Sequence, residues 1–350
     1  MENILIRVLL KIYKIFKKED KHNFNLNELE YLNNFISSSK LVLFDIGSRS
    51  MKNTNGIPSR LNLLQKYSTL LICDADTSCM NESLETLLNK GWKSVKIFPY
   101  AISNNKEKFV KLHLTNQPGL SSLLKPNEYF LKKLPAQVSN DFSIKEEVKV
   151  SNRKLINVLD EFSLEGISHI DIDTQGTELE ILKSGEKIIE NSLISLTIEV
   201  SFQEIYKKQC LFRDIDAYLS KFGFEIFELD RIMVLNNPEI NYSKKIISQG
   251  DALYFKNPDF IVNNHKKPGL DLMKLISMLI TFYHFNDSLR ILNDIKFRQH
   301  ISSVYSDSKI KNLEDEIIAC SEKFDYHNKV FLFSNKLRKN SYKDRDGFQH

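Results

Sequence analysis

The chain has 350 residues, 42% of them hydrophobic and 27% charged, with a formal net charge of only +4. That balance excludes global disorder, and so mild and dispersed a charge excludes the electrostatic footprint of a nucleic-acid binder. Cys73, Cys79, Cys210 and Cys320 form no CxxC pair and no Cys/His ligand spacing, so neither a disulfide framework nor a structural zinc site is expected, and a reducing cytosol fits best.

In chain order, residues 2–18 place Arg7, Lys11, Lys14 and Lys18 opposite Leu5, Leu9, Ile12 and Phe16 at helical spacing. Such a basic amphipathic helix either packs on the protein with a solvated lysine face or lies on an anionic membrane surface. No apolar run reaches the roughly 18–20 residues that cross a bilayer, and no small-residue cleavage site follows the first apolar stretch. A cytoplasmic chain is therefore expected, with peripheral contact to the inner face of the membrane through residues 2–18 as its one membrane option.

From residue 41 short β-branched and aromatic runs alternate with amphipathic helices, the pattern of repeated βαβ units. Strands are predicted at Leu41–Ile46, Leu70–Cys73, Val95–Phe98, His169–Ile172, Leu193–Val200, Phe224–Leu229 and Ala252–Phe255. Between them, Cys79–Lys90 puts Met80, Leu84, Leu87 and Leu88 on one face and stops at Gly91. Leu211–Phe222 does the same with Phe212, Ile215, Leu219 and Phe222 before Gly223. The last two strands lack a long intervening helix, which predicts an antiparallel pair at one edge. The expected fold is α/β, a doubly wound, seven-stranded, mostly parallel Rossmann-like sheet with an antiparallel edge strand. Two or three helices are predicted within residues 270–337, and the polar tail from Asn340 is expected to fray. The units are then 1–37, an amphipathic helix and linker; 38–262, the α/β domain; and 263–350, a helical extension.

Three strand ends carry the chemistry-bearing residues. The first runs Asp45, Ile46, Gly47, Ser48, Arg49, where a glycine lets the backbone approach a ligand closely. The second ends in Asp74, Ala75, Asp76, the place where Rossmann-like domains offer a carboxylate to a ribose diol. Asp74 is the first choice for that role, since Asp76 reads equally as the opening of the next helix. The fourth leads through Asp171 and Asp173 into Thr174, Gln175, Gly176, Thr177, Glu178, Leu179 and Glu180, and Asp173 falls at the carboxyl edge where substrates of such sheets bind. The fifth strand adds Glu199. Several carboxylates in one crevice repel unless a cation, a proton or a substrate hydroxyl intervenes.

Taken together, "LFDIG" at 43–47, "CDAD" at 73–76, "PYAIS" at 99–103, "PGLSSLLKPN" at 118–127, "IDIDTQGTELEILKSG" at 170–185, "IEVSFQEIYKKQCLFRDID" at 198–216 and "GDALYFK" at 250–256 resemble the FkbM-type methyltransferases, which use S-adenosylmethionine. The resemblance implies that the Asp45 to Arg49 loop meets the methionine end of that cofactor. It further implies that Asp74 and Ala75 bind the ribose and that Tyr100, Ala101 and Ile102 lie near the adenine. Asp173, Gln175 and Glu199 would face the acceptor, with Asp173 the candidate base and His113 a distant second. Members of the family typically methylate hydroxyls of sugars or secondary metabolites, so a small-molecule or glycan acceptor and O-methylation are implied; no residue is assigned as a metal ligand. One departure stands out: after Gly47 the next glycine is Gly56, which reads as a short insertion in the cofactor loop.

Two rivals remain in the sequence. A catalytically degenerate scaffold would bind a partner or membrane through its basic N-terminal helix. A metal-dependent nucleotide-sugar glycosyltransferase would use Asp74-Ala75-Asp76 or Asp171-Ile172-Asp173 for a hard cation. A dinucleotide dehydrogenase lacks its G-x-G-x-x-G spacing.

Overall fold

The computed structural model describes residues 29–47, 59–77, 80–234 and 246–322. The predicted helix at 2–18, Ser48 and Arg49, the glycine at 56, Cys79 and the tail lie outside those residues.

Every predicted sheet strand forms: β1 (Val42–Ile46), β2 (Thr69–Cys73), β3 (Val95–Phe98), β7 (His169–Ile172), β8 (Ser195–Ser201), β9 (Phe224–Val234) and β10 (Ile246–Lys256). They build one seven-stranded sheet in the order β3-β2-β1-β7-β8-β10-β9. The order reverses between β1 and β7, and an open α/β sheet places its ligand crevice at such a switch point. Strands β1 to β3, β7 and β8 pair in parallel, while β10 is antiparallel to both β8 and β9. The last two strands form the predicted antiparallel pair at that edge; the expected reversed edge strand is corrected, because the reversed strand is β10, second from the edge, and β9 at the edge runs with the others. The reason is that β9 crosses past an open position and β10 returns to fill it, satisfying backbone groups on both sides.

The two predicted helices form as Met80–Asn89 and Phe212–Leu219, ended by Gly91 at φ +99° and, after one 3₁₀ turn, by Gly223 at φ +74°. One position departs from its predicted face: Leu88 is 48% exposed, and Ser83 is buried beside Met80 and Leu87 instead.

A second sheet was not among the predicted elements. It consists of β4 (Ala101–Ile102), β5 (Phe109–Thr115) and β6 (Ile144–Arg153), in the order β4-β6-β5. Its long strands read FVKLHLT and IKEEVKVSNR; the second is largely solvent-facing and the first buries Leu112, His113 and Thr115 between polar neighbours, so neither has the continuous apolar run that marks a strand buried on both faces.

The helical region is more extensive than predicted, with helices at Pro258–Asn264, Pro268–Thr281, Phe285–Asn293 and Ile295–Ser302 and a helical segment over 307–322. Pro268–Thr281 is buried around nearly its whole circumference, which makes it a core element and not a surface cover. It shares one hydrophobic cluster with the helix Glu30–Ser39 and with sheet residues Leu43, Leu70, Ile72, Leu253 and Phe255. The boundaries placed at 37/38 and 262/263 both fall inside helices. The other sheet face packs Phe44, Ile46, Cys73, Phe98, Ile170 and Ile198 against the helices Glu178–Ser184, Glu186–Asn191 and Phe212–Leu219. Among the described residues no helix is long and apolar enough to cross a membrane.

Lys256 at the end of β10 is buried, and its ammonium donates to the carbonyls of Ile189 and Glu190 while lying over the rings of Phe224 and Phe260. Burial lowers its pKa from 10.5 to about 7. Between those two values the unfolded chain binds the proton more tightly, so this group makes stability rise with pH across that window. Lys256→Ala is expected to cost about 2–4 kcal/mol, from the cavity and two abandoned carbonyls. It is also expected to flatten that rise, as urea unfolding at pH 7 and pH 9.5 would show.

Candidate active site

The site begins where β1, β2 and β7 end side by side. Gly47 donates its N–H to the Cys73 carbonyl at 2.9 Å, and Asp173 donates its N–H to the Ile46 carbonyl at 3.0 Å, so the three tips are tied by backbone hydrogen bonds. Gly47 has φ +94°, and a Cβ on it would lie 1.9 Å from the Asp173 carbonyl oxygen. Only glycine fits this contact, which fixes the loop after β1 directly against the loop after β7.

These tips open onto a cleft of about 690 Å³, counting its mouth, lined by Gly47, Asp74, Ala75, Tyr100, Ala101, Ile102, Asp173 and Gln175 together with Ser121 and Ser122. Each of those first eight is a predicted site residue. Asp45 and Glu199 are not part of the lining. Asp74 turns one oxygen onto the N–H of Asp76 at 2.7 Å, closing a local turn that presents the carboxylate at the cleft. The far wall comes from the loop between β5 and β6, held down by Ser122, whose hydroxyl donates to the Gln175 carbonyl at 2.8 Å.

The loop after β7 is shaped by two successive left-handed residues, Gln175 at φ +59° and Gly176 at φ +108°. For glutamine that backbone is strained, and such strain gathers at functional sites. Glu178 closes the turn by accepting from Thr174 N, Thr174 Oγ1 and Gly176 N at 3.1, 3.1 and 2.9 Å, so its role is structural. Glu180 pairs with Lys183 on the surface.

Gln175 joins the two remaining candidates. Its Nε2 donates to Asp173 Oδ1 at 2.6 Å and to Glu199 Oε2 at 3.3 Å. Gln249 Nε2 donates to the other oxygen, Glu199 Oε1. Asp251 stands opposite Glu199 in the β8–β10 register, and Asp171 stands beside Asp45 in the β1–β7 register. Among the described residues none of these carboxylates has a lysine or arginine partner.

Burial without counter-charge pushes the whole group toward protonation. Asp45 is raised to about 8, first by desolvation and then by Asp74 and Asp173, and its Oδ2 has no hydrogen-bond partner. Asp173 touches solvent at the cleft but is walled in on the longer range over which charge is felt. Desolvation and Asp251 therefore raise it to about 6 against the lowering effect of Gln175. Asp171 and Glu199 lie well above the usual carboxylate range for the same primary reason. A ligand bringing positive charge or hydroxyl donors relieves this repulsion.

His113 sits buried in β5, its Nδ1 3.1 Å from Glu147 Oε1 without the alignment of a hydrogen bond, and is not among the cleft residues. Among the described residues Cys73, Cys210 and Cys320 form no disulfide with one another. Among the described residues no three His, Cys, Asp or Glu side chains converge as metal ligands. Tyr206, Gln249 and Asp251 were missed by sequence reasoning. Tyr206 lies inside the 198–216 segment already singled out, whereas nothing local marks Gln249 or Asp251.

Residues 66–226 match the family model described as the methyltransferase FkbM domain. No curated protein matches the chain. Solved structures similar to it include a precorrin-6y C5,15-methyltransferase from Geobacter metallireducens, with 11% identity over 65% of this chain and 87% of that one and a TM-score of 0.29. Another is a putative RNA methyltransferase from Pyrococcus horikoshii, with 10% identity over 66% and 84% and a TM-score of 0.31. A third is a SAM-dependent methyltransferase from Aquifex aeolicus, with 10% identity over 68% and 96% and a TM-score of 0.29.

Proposed function

Since this chain carries a methyltransferase FkbM domain over residues 66–226, we propose that it transfers a methyl group from S-adenosylmethionine to a hydroxyl of a sugar, glycan or glycolipid precursor. The observation that carries the reading is the meeting of Gly47, Asp74 and Asp173 at one cleft. The residues present suit the cofactor. Asp74 offers a charged acceptor to a vicinal diol, the 100–102 segment lines the same cleft, and the carboxyls of Asp74 and Asp173 there favour a cationic sulfonium and ammonium.

When bound, S-adenosylmethionine supplies the electrophilic methyl carbon. The protein's share is to hold the acceptor hydroxyl in line and to take its proton. Asp173 performs the second task with the oxygen that Gln175 leaves free, and Gln175 and Glu199 orient it. The acceptor's reacting end meets Asp173, Glu199 and Asp251 with no described cation among them, so it brings hydroxyl donors and no negative charge. On this reading a neutral sugar is methylated and its phosphorylated counterpart is refused. The chain works in the cytoplasm, and residues 2–18 bring it to lipid-linked acceptors at the inner membrane face by their basic amphipathic pattern.

Calorimetry with S-adenosylmethionine and its demethylated product tests the cofactor assignment. Asp74→Ala is expected to lose about 2–3 kcal/mol, roughly 30- to 150-fold in affinity, as two charge-assisted hydrogen bonds disappear. Asp74→Asn keeps the acceptor for Asp76 N and separates the turn from the charge. Unchanged affinity in the alanine variant removes Asp74 from the site.

A further inference from the structure

Around Asp173 and Glu199 the hydrogen bonds are unequally shared. Glu199 has both oxygens engaged by amide donors, Oε2 by Gln175 and Oε1 by Gln249. Asp173 has one oxygen engaged, by the same Gln175 nitrogen, and its other oxygen makes no hydrogen bond to the protein. The Gln175 amide could in principle sit the other way round, with its oxygen against two carboxylates and its nitrogen outward. Tyr206 opposes that: its hydroxyl lies 3.0 Å from Gln175 Oε1 and 2.9 Å from the Leu120 carbonyl, and the side chain is 1% exposed. The hydroxyl has one proton to share between those two acceptors, and the Asp173 and Glu199 oxygens at the other end of the amide can take only its nitrogen while ionised, so Gln175 stands with its oxygen toward Tyr206. Tyr206 is itself seated by Gln209, whose Oε1 accepts from the N–H groups of Ile205 and Tyr206 at 2.8 and 2.9 Å.

We infer that Tyr206 and Gln249 are positioning residues that divide the carboxyl pair: Gln249 completes the saturation of Glu199, and Tyr206 orients Gln175 so that Asp173 keeps one oxygen free toward the acceptor. The inference deepens the proposed methyl transfer and rests on Asp173 as its base. Neither residue lines the cofactor cleft. The charged and titratable groups bearing on the pair from neighbouring elements are Glu178, Asp171, Asp45 and Asp251, and Tyr206 on its own loop. All but Tyr206 are carboxyls, so the two glutamine amides act as the neutral spacers in the group.

The test is a titration of the side-chain carboxyl carbons of Asp173 and Glu199 by NMR, in the full chain, with Tyr206→Phe and Gln249→Met. Tyr206→Phe removes a single oxygen and frees the Gln175 amide to turn. Asp173 then loses its donor, and its midpoint is expected to rise by about one pH unit. Gln249→Met is expected to raise the Glu199 midpoint by a similar amount and to leave Asp173 within about 0.3 unit. Binding of S-adenosylhomocysteine should stay within about twofold in both variants. An Asp173 midpoint unmoved in Tyr206→Phe, or a Glu199 midpoint unmoved in Gln249→Met, overturns the corresponding half, and each variant decides its half alone. Failure of the wild type to bind S-adenosylhomocysteine would instead defeat the cofactor reading, while the titration still decides the hydrogen-bond roles.

Discussion

Asp173→Asn is expected to slow methyl transfer about a hundred- to ten-thousandfold while leaving cofactor affinity nearly intact. The substitution keeps an acceptor oxygen for Gln175, which lies 2.6 Å from Asp173 Oδ1, so the loop after β7 should hold its shape. What is lost is a group able to take the hydroxyl proton. The pH dependence gives a second signature. A carboxyl raised to about 6 must be ionised to act as a base, so the wild-type rate should climb tenfold per unit as pH rises toward that value and level off above it. Binding of a cationic donor favours the ionised form and shifts the limb to lower pH. The Asn variant should lack this limb. Radiolabelled methyl incorporation into a neutral glycan fraction, followed between pH 4.5 and 8, reads both quantities. A variant with wild-type rate and an unchanged limb would assign the base elsewhere.

Gly47→Ala is expected to damage folding and binding together. The residue stands at φ +94°, where an L side chain is strained, and the added carbon would meet a backbone oxygen at 1.9 Å. Backbone on both sides of the contact leaves no flexible side chain to yield. Displacing it separates the β1 and β7 tips that frame the cleft. The cost is expected to be about 2–5 kcal/mol, combining left-handed strain with overpacking. Calorimetry should then detect no binding of S-adenosylhomocysteine at concentrations that saturate the wild type. Gly119→Ala is the matched control, since Gly119 lines the same cleft but a Cβ there meets nothing within 4 Å. Its stability should stay within about 0.5 kcal/mol. Equal effects of the two substitutions would show that the close approach of Gly47 and Asp173 does not matter.

Much of the architecture is written in local pattern. A strand buried on both faces needs a short run of apolar, often β-branched residues, and Leu70–Cys73 carries that need openly. A helix that must stop before the next strand needs a left-handed residue, which Gly91 and Gly223 supply. The strand-tip residues of the cleft were legible for the same reason. Gly47 and Asp74 directly follow their strands and the 100–102 segment begins two residues after Phe98, so knowing the strand ends places them. The β5–β6 ribbon escaped because β6 is rich in lysine and glutamate and faces solvent, and β5 interrupts its apolar residues with Lys111 and His113.

Residue spacing alone thus decided which segments become the strands of the seven-stranded sheet, and which side chains stand at the carboxyl ends of β1, β2 and β7. Tertiary structure alone decided how those ends are completed. The insertion of β10 between β8 and β9 sets Asp251 against Glu199, 52 positions earlier in the register pair. Chain crossing likewise brings Ser122 to the Gln175 carbonyl across 53 residues and Tyr206 to its amide across 31. Hydrophobic periodicity is a property of a few neighbouring residues, whereas the balance of protons and hydrogen bonds in a buried carboxyl cluster depends on which strands lie side by side.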